Sequence, residues 1–321
     1  MEIRTAAVFG AAGKIGRRLV ELLRTMDVKV KALQHKSPVP DQCEVVKGSV
    51  TDAEAVNECV RHSDVVLQLA TTKEDPDSFF EVSVGGTFKI LEACRKQAIR
   101  QFILLGGDAA FGIWFYPQPT PIDENHPYQA YPGYYAFSKV IEEVMTRQYG
   151  IQYGVPFTIL RSSWVFEGDD LLKHFSLLEN ISPEEEGHGF GEITPEILSL
   201  VRAGEDRIPL LLDGSGVPLR RHIVHIDDVV QVFRLSLGNE ASLGQSFNVA
   251  GPAPFSYDVA ARYLSEKTGV PTIDINCPNY HSFEINITRC RTVLGYAPEN
   301  DFFRMADRAL AVREKRVASG A

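Results

Sequence analysis

Seven residues near the N-terminus constrain this chain more than any others. Gly10-Ala-Ala-Gly13-Lys-Ile-Gly16 follows a short apolar run, Thr5 to Phe9, and precedes an amphipathic run, Arg17 to Thr25. Strand, glycine turn and helix in that order point free backbone N–H groups at an anion, where the helix dipole also favours negative charge. Gly10 permits the tight turn, Gly13 lets the backbone approach a pyrophosphate, and Gly16 lets the helix pack on the strand. The spacing is Gly-x-x-Gly-x-x-Gly rather than Gly-x-Gly-x-x-Gly, and at the start of a βαβ unit it predicts a dinucleotide site.

The rest of the chain continues the same alternation. Val28 to Leu33 and Glu44 to Val46 read as the second and third strands, and Gly48-Ser-Val-Thr-Asp52 leads into a helix near Ala53–Val60. Asp64 to Ala70 is a fully buried type of strand that ends in small residues, as an edge facing a cofactor requires. A long helix over Phe79 to Lys96, a fifth strand over Gln101 to Leu105, and a sixth over Phe157 to Arg161 follow. The pattern predicts an α/β fold with a doubly wound parallel sheet of Rossmann type. From Phe166 to Gly216 it breaks into loops, with an acidic patch at Pro183-Glu-Glu-Glu186 and a helix near Pro195–Ala203. Regular structure returns at Arg220-Arg221-His222, then a helix near Val229–Leu237 that Asp227 or Asp228 can cap. Ser246 to Val249 reads as a last strand, and helices near Tyr257–Thr268 and Phe302–Arg316 close the chain. The expected organisation is a dinucleotide-binding domain over 1–165, to which 221–250 returns. A smaller, mostly C-terminal substrate lobe is expected from 166–220 and 251–321.

An acid at the end of the second strand would grip a ribose 2′-hydroxyl. Here Gln34, His35 and Lys36 stand there, with Lys14 inside the glycine turn. Bases without a carboxylate favour a 2′-phosphate, so NADP is the expected cofactor over NAD.

A proline-rich loop (Pro117, Pro119, Pro121, Pro127, Pro132) leads to Tyr135-Ala-Phe-Ser-Lys139. A tyrosine and a lysine four residues apart share one helix face. An ammonium roughly 4 Å away, at an effective dielectric near 20, is worth about 4 kcal/mol, or roughly 3 pKa units. That would bring the phenol into range for proton transfer. Tyr134 lies five residues from Lys139 and off that face, so Tyr135 is the candidate.

Composition narrows the partners. The 321 residues carry 33 lysines and arginines against 42 aspartates and glutamates, a net charge of −9 with the signs interleaved. No basic block points to nucleic acid or a membrane surface. Five cysteines lack metal-ligand spacing and read as reduced thiols. No signal peptide and no membrane-length apolar run is visible, so a cytoplasmic protein with a small-molecule substrate is expected.

Taken together, these stretches resemble the extended short-chain dehydrogenase/reductase superfamily, of the NAD(P)-dependent epimerase/dehydratase type. The matches are Gly10–Gly16, Val84-Gly-Gly-Thr87 with Leu91-Glu-Ala93, and Tyr135–Lys139 with Glu142. They continue through Leu160-Arg161, His225-Ile-Asp-Asp228, Phe247-Asn248-Val249 and Leu294-Gly-Tyr296. The resemblance implies hydride transfer with nicotinamide, with Tyr135 moving the proton of a substrate hydroxyl. Lys139 would hold the nicotinamide ribose. It places Ile15, Ser49, Val50, Leu69, Ala70 and Thr71 at the cofactor, and Thr72, Trp164 and Arg221 at the substrate. It also implies a homodimer packed through the Phe79–Lys96 and Tyr135–Tyr149 helices.

Three departures bear on the choice of reaction. The serine or threonine that hydrogen-bonds the reacting oxygen in the family is Gly107 here. A missing donor of this kind costs about 2.7–4 kcal/mol. Asp108, if protonated, could donate instead; Thr71, Ser162 and Ser163 are further candidates. Trp164 stands where nucleotide-sugar enzymes carry asparagine. Arg221 matches a diphosphate-gripping arginine, but its expected second base is absent from Cys277 to Phe283, leaving Arg289 and Arg291 as substitutes. An oxidoreductase or epimerase acting on a hydroxyl or carbonyl of a sugar-like or nucleotide-sugar substrate is the expected function. The alternative is a dinucleotide-binding sensor that has lost turnover, which Gly107 and Ser49 would suit.

Overall fold

The computed structural model describes residues 1–182 and 191–319; the acidic patch at 183–186 lies outside them. The glycine turn joins strand β1 (Thr5–Phe9) to helix α1 (Lys14–Thr25). Then come β2 (Lys29–Gln34), β3 (Glu44–Lys47), α2 (Ala53–Val60) and β4 (Val65–Gln68). A π-helical turn, Phe79–Val84, leads into α3 (Gly85–Gln97), followed by β5 (Gln101–Gly107). Helix α4 (Tyr134–Tyr153), β6 (Phe157–Ser162) and, much later, β7 (Gln245–Val249) complete the main sheet. Its order is β7-β6-β5-β4-β1-β2-β3, and every pairing is parallel. Chain order reverses beside β1, and ligands bind at the strands' carboxyl ends at such a switch point.

A parallel sheet covered on both faces needs apolar residues on both. In β1, Ala6, Ala7, Val8 and Phe9 are all fully buried. Ala6 and Val8 join one core layer with Leu19 and Leu23 of α1, while Ala7 and Phe9 join the other with Val56, Ile90 and Leu91. That split follows the two-residue period of a strand.

The remaining chain makes three small two-stranded pairings. Val224–His225 runs parallel to Val165–Phe166, Arg220–Arg221 runs antiparallel to Phe255–Ser256, and Ile208–Leu212 runs parallel to Thr272–Asn276. The helix Ile226–Ser236 is capped by neither expected aspartate. His225 is its N-cap, its Nδ1 accepting from the Asp227 amide, while the Asp228 carboxylate accepts from the amides of Glu299 and Asn300. Asp228 thus ties the C-terminal segment to this helix rather than ending the helix itself.

Candidate active site

The carboxyl ends of β1, β4, β5 and β6 open onto one cleft of about 950 Å³. On the β1–β2 side it is lined by Gly10, Gly13, Lys14, Ile15 and Gly16 with His35, Lys36, Ser49 and Val50. Leu69, Ala70 and Thr71 line it below β4, and Asp108, Tyr135, Lys139, Ser163, Trp164 and Arg221 line the β5–β6 side. Two expected residues do not line it. The Gln34 side chain turns back to accept from the Val39 amide at 3.4 Å. Thr72 is held by Ser83, whose Oγ accepts from the Thr72 amide at 3.0 Å.

The glycine turn has the shape a pyrophosphate needs. At Gly10 (φ +89°) a Cβ would lie 2.9 Å from the Ala70 nitrogen, and at Gly16 a Cβ would lie 2.1 Å from the Gly10 carbonyl. Both positions are therefore closed to any other residue. At Gly13 an added Cβ would meet only the Gly10 oxygen, at 3.4 Å. Gly13 is also the N-cap of α1, with no capping side chain and no acid in the first turn. The first amides of α1 are thus left without a side-chain acceptor beside the cleft, and a dinucleotide fits this cradle. The Lys14 ammonium pairs with Asp170, and Arg18 bridges Glu167 at 3.1 Å and Asp227 at 2.6 Å. These contacts tie the start of α1 to the chain beyond β6.

Helix α4 presents Tyr135 and Lys139 to the cleft. Gly133 (φ +153°) turns the chain into the helix, and the Glu74 carboxylate accepts from the Tyr134 amide at 2.7 Å. An acid at a helix N-terminus suits the dipole. Tyr134 itself is exposed and packs on Phe79. The Lys139 ammonium lies 5.4 Å from the Tyr135 ring centre and is held by Glu142 at 2.9 Å. Burial opposes the lysine charge, yet the Glu142 carboxylate carries its pKa above the ordinary value.

The tyrosine differs from the expectation. Burial pushes the Tyr135 phenol up, and the opposing pull of Lys139 is too small to reverse it. Glu142, paired with the charged ammonium, and Asp108, a second negative group, offset the pull of Lys139 on the phenol.

Around Tyr135 the third position is open. A Cβ on Gly107 would sit 3.7 Å from the Tyr135 hydroxyl and 3.8 Å from Lys139 Cγ, ordinary contact distances. Asp108 follows, partly buried at the cleft wall, with Ser163 Oγ donating to its Oδ2 at 2.8 Å. Burial raises its pKa to about 6, with the Ser163 hydrogen bond and the Arg221 charge offsetting part of the rise.

Arg221 lies between two indoles, its guanidinium carbon 4.1 Å from the Trp164 ring centre and 4.7 Å from that of Trp114. Trp164 is 45% exposed, so it is not a core residue. Arg289 and Arg291, the expected second bases, do not line the cleft. Arg289 lies 3.6 Å from the Glu124 carboxylate, and Arg291 donates to the Pro252 carbonyl. The residues missed in the sequence are Glu74, Trp114, Phe115 and Tyr131. The aromatic run Trp114-Phe115-Tyr116 between two prolines and a glycine was the available signal for two of them. Among the described residues, no helix is long and apolar enough to cross a membrane, and no group of three His, Cys, Asp or Glu could hold a metal ion.

The family model described as NAD dependent epimerase/dehydratase matches residues 6–250. A UDP-glucose 4-epimerase of Mycolicibacterium smegmatis is 26% identical over 91% of this chain and 93% of its own length. A dTDP-glucose 4,6-dehydratase of the same organism is 31% identical over 173 residues, 49% of this chain; the match spans 52% of that dehydratase, about half its length. Among solved structures, a short-chain dehydrogenase/reductase superfamily protein from Agrobacterium tumefaciens with bound NAD superposes with a TM-score of 0.87. It covers 99% of both chains at 24% identity, a likeness of fold.

Proposed function

The chain belongs to the NAD-dependent epimerase/dehydratase family, and we propose that its cleft carries out hydride transfer at a hydroxyl or carbonyl carbon of a sugar-like substrate. The observation that carries this reading is the meeting of the glycine cradle and the Tyr135–Lys139 pair in one cleft. When bound, the nicotinamide supplies the hydride acceptor or donor and, in its oxidised form, a positive charge that favours a phenolate. Tyr135 moves the proton at the substrate oxygen. Lys139, held by Glu142, keeps a fixed positive charge beside Tyr135 and is the residue to hold the nicotinamide ribose. Asp108 in its protonated form donates a hydrogen bond to the same oxygen, in place of the side chain that Gly107 lacks.

We assign the cofactor as NADP, on the strength of His35 and Lys36 lining the cleft with no acid beside them. Titration of both oxidised cofactors tests it, and tighter NAD binding overturns it. The exposed Phe80, Phe88, Phe137 and Ile151 on the Phe79 turn, α3 and α4 support a homodimer through that face; light scattering on the purified chain decides. Five cysteine thiols, four of them buried, suit a reducing cytoplasm.

A second reading, a dinucleotide sensor without turnover, is favoured by Gly107 and by Ser49 at the cofactor side of the cleft. The absorbance of reduced nicotinamide, followed across a panel of sugars, sugar acids and ketones, separates the two. Substrate-dependent change supports the enzyme; NADP binding with neither an absorbance change nor an isomerised or dehydrated product across the panel supports the sensor.

A further inference from the structure

The substrate end of the cleft has one unusual polar group. The Arg221 guanidinium carbon lies 4.1 Å from the Trp164 ring centre and 4.7 Å from that of Trp114. Its edge is what remains for recognition, and part of that edge meets the Tyr257 hydroxyl. On that edge Nε is buried and has no hydrogen-bond partner among the described residues. A buried charged donor left unpaired is costly, and its presence points to an absent acceptor. The fork of a guanidinium edge matches a carboxylate with two parallel hydrogen bonds. The flanking walls are apolar and aromatic: Phe115 packs on Tyr131 at 4.5 Å between ring centres, beside Trp114.

A nucleoside diphosphate fits these surroundings poorly. Its pyrophosphate brings two charges, and Arg221 has no second arginine beside it in the cleft, since Arg289 lies with Glu124 and Arg291 with Pro252. Of the lysines lining the cleft away from the glycine turn, Lys139 is already paired with Glu142, and Lys73 adjoins Glu74 in the chain. Asp108 adds a partly buried carboxyl at the same end, held by Ser163.

We propose that Arg221, clamped between Trp114 and Trp164, is the subsite for the carboxylate of a small cyclic sugar acid, and that this chain takes a monocarboxylate rather than a nucleotide sugar. The sugar ring lies against the aromatic wall, and its hydroxyl or carbonyl reaches Tyr135; that last clause rests on the hydride-transfer reading above, whereas the carboxylate subsite does not.

The chain has two tryptophans, and both flank Arg221. Tryptophan fluorescence therefore reports this subsite directly. The full chain, saturated with oxidised NADP, is titrated with D-glucuronate, D-glucose and UDP. Glucuronate should change the emission saturably and bind at least about tenfold more tightly than glucose, the size of one charge-assisted contact. Arg221→Gln should abolish that preference, and Arg221→Lys, which keeps the charge and loses the fork, should retain part of it. Equal affinity for glucuronate and glucose, tighter binding of UDP than of glucuronate, or an undiminished preference in R221Q overturns the proposal. Retained NADP affinity shows that R221Q is folded, and if it is not, the three wild-type titrations decide alone. Because binding is read without turnover, carboxylate preference with no hydride transfer would keep this subsite and remove the catalytic reading. Hydride transfer on a nucleotide sugar would do the reverse.

Discussion

Asp108 should make the stability of this protein depend on pH in a way that one substitution removes. Burial raises its pKa from 3.8 to about 6. A carboxyl whose folded pKa exceeds its unfolded value holds its proton more tightly when folded. Its contribution to stability is therefore fully present below about pH 4 and is lost as pH rises through about pH 6. A shift of about two pKa units corresponds to about 3 kcal/mol. Asp108→Asn keeps the shape, cannot ionise, and should show no such loss. Urea unfolding of both proteins at several pH values is the assay. The stability of wild type minus that of D108N should fall by about 3 kcal/mol between pH 4 and pH 7. Taking the difference cancels the other carboxylates that titrate in the same range. A difference that stays constant, or that rises with pH, would refute the desolvated environment assigned to Asp108.

Other consequences follow from single contacts. Gly107→Ser places its Cβ 3.7 Å from the Tyr135 hydroxyl without a clash; it should leave cofactor affinity unchanged and raise kcat by about tenfold or more by adding a donor. Gly16→Ala drives a methyl to 2.1 Å from the Gly10 carbonyl; it should abolish NADP binding in a fluorescence titration and lower stability by about 1–3 kcal/mol. Lys139→Met leaves Glu142 buried without its partner and should cost about 3–5 kcal/mol at neutral pH in denaturant unfolding. Adding Glu142→Gln should recover much of that loss, and failure to recover would mean that the pair is not coupled.

The main sheet was legible because its strands are buried on both faces. Runs such as Val65 to Leu67 and Phe102 to Leu104 have no polar break, and glycine or acid-led turns bound them. The end of β5 was less so. It continues through Gly106 and Gly107, which pair with Arg161 and Ser162, but two glycines carry no side-chain signal for a strand. The Tyr135–Lys139 spacing was readable because helix periodicity is local. The raised Tyr135 pKa was not, because it depends on burial and on the charges of Glu142, Asp108 and Glu74. Trp114 escaped notice for a different reason. It sits in a loop with a left-handed backbone (φ +76°), and only the tertiary fold brings it over Arg221 from more than a hundred residues away. The preference of a helix start for aspartate likewise misled at Ile226, where His225 forms the cap.

The central claim is that Tyr135 moves the proton during hydride transfer in a cleft whose cofactor cradle is independent of it. Tyr135→Phe removes one oxygen and leaves the glycine turn untouched. Parallel measurement of NADP affinity and of the hydride-transfer rate on a substrate that wild type turns over tests this directly. The account predicts an affinity within about twofold of wild type and a rate lowered by about 10²-fold or more. A Tyr135→Phe protein that turns over at the wild-type rate would contradict it.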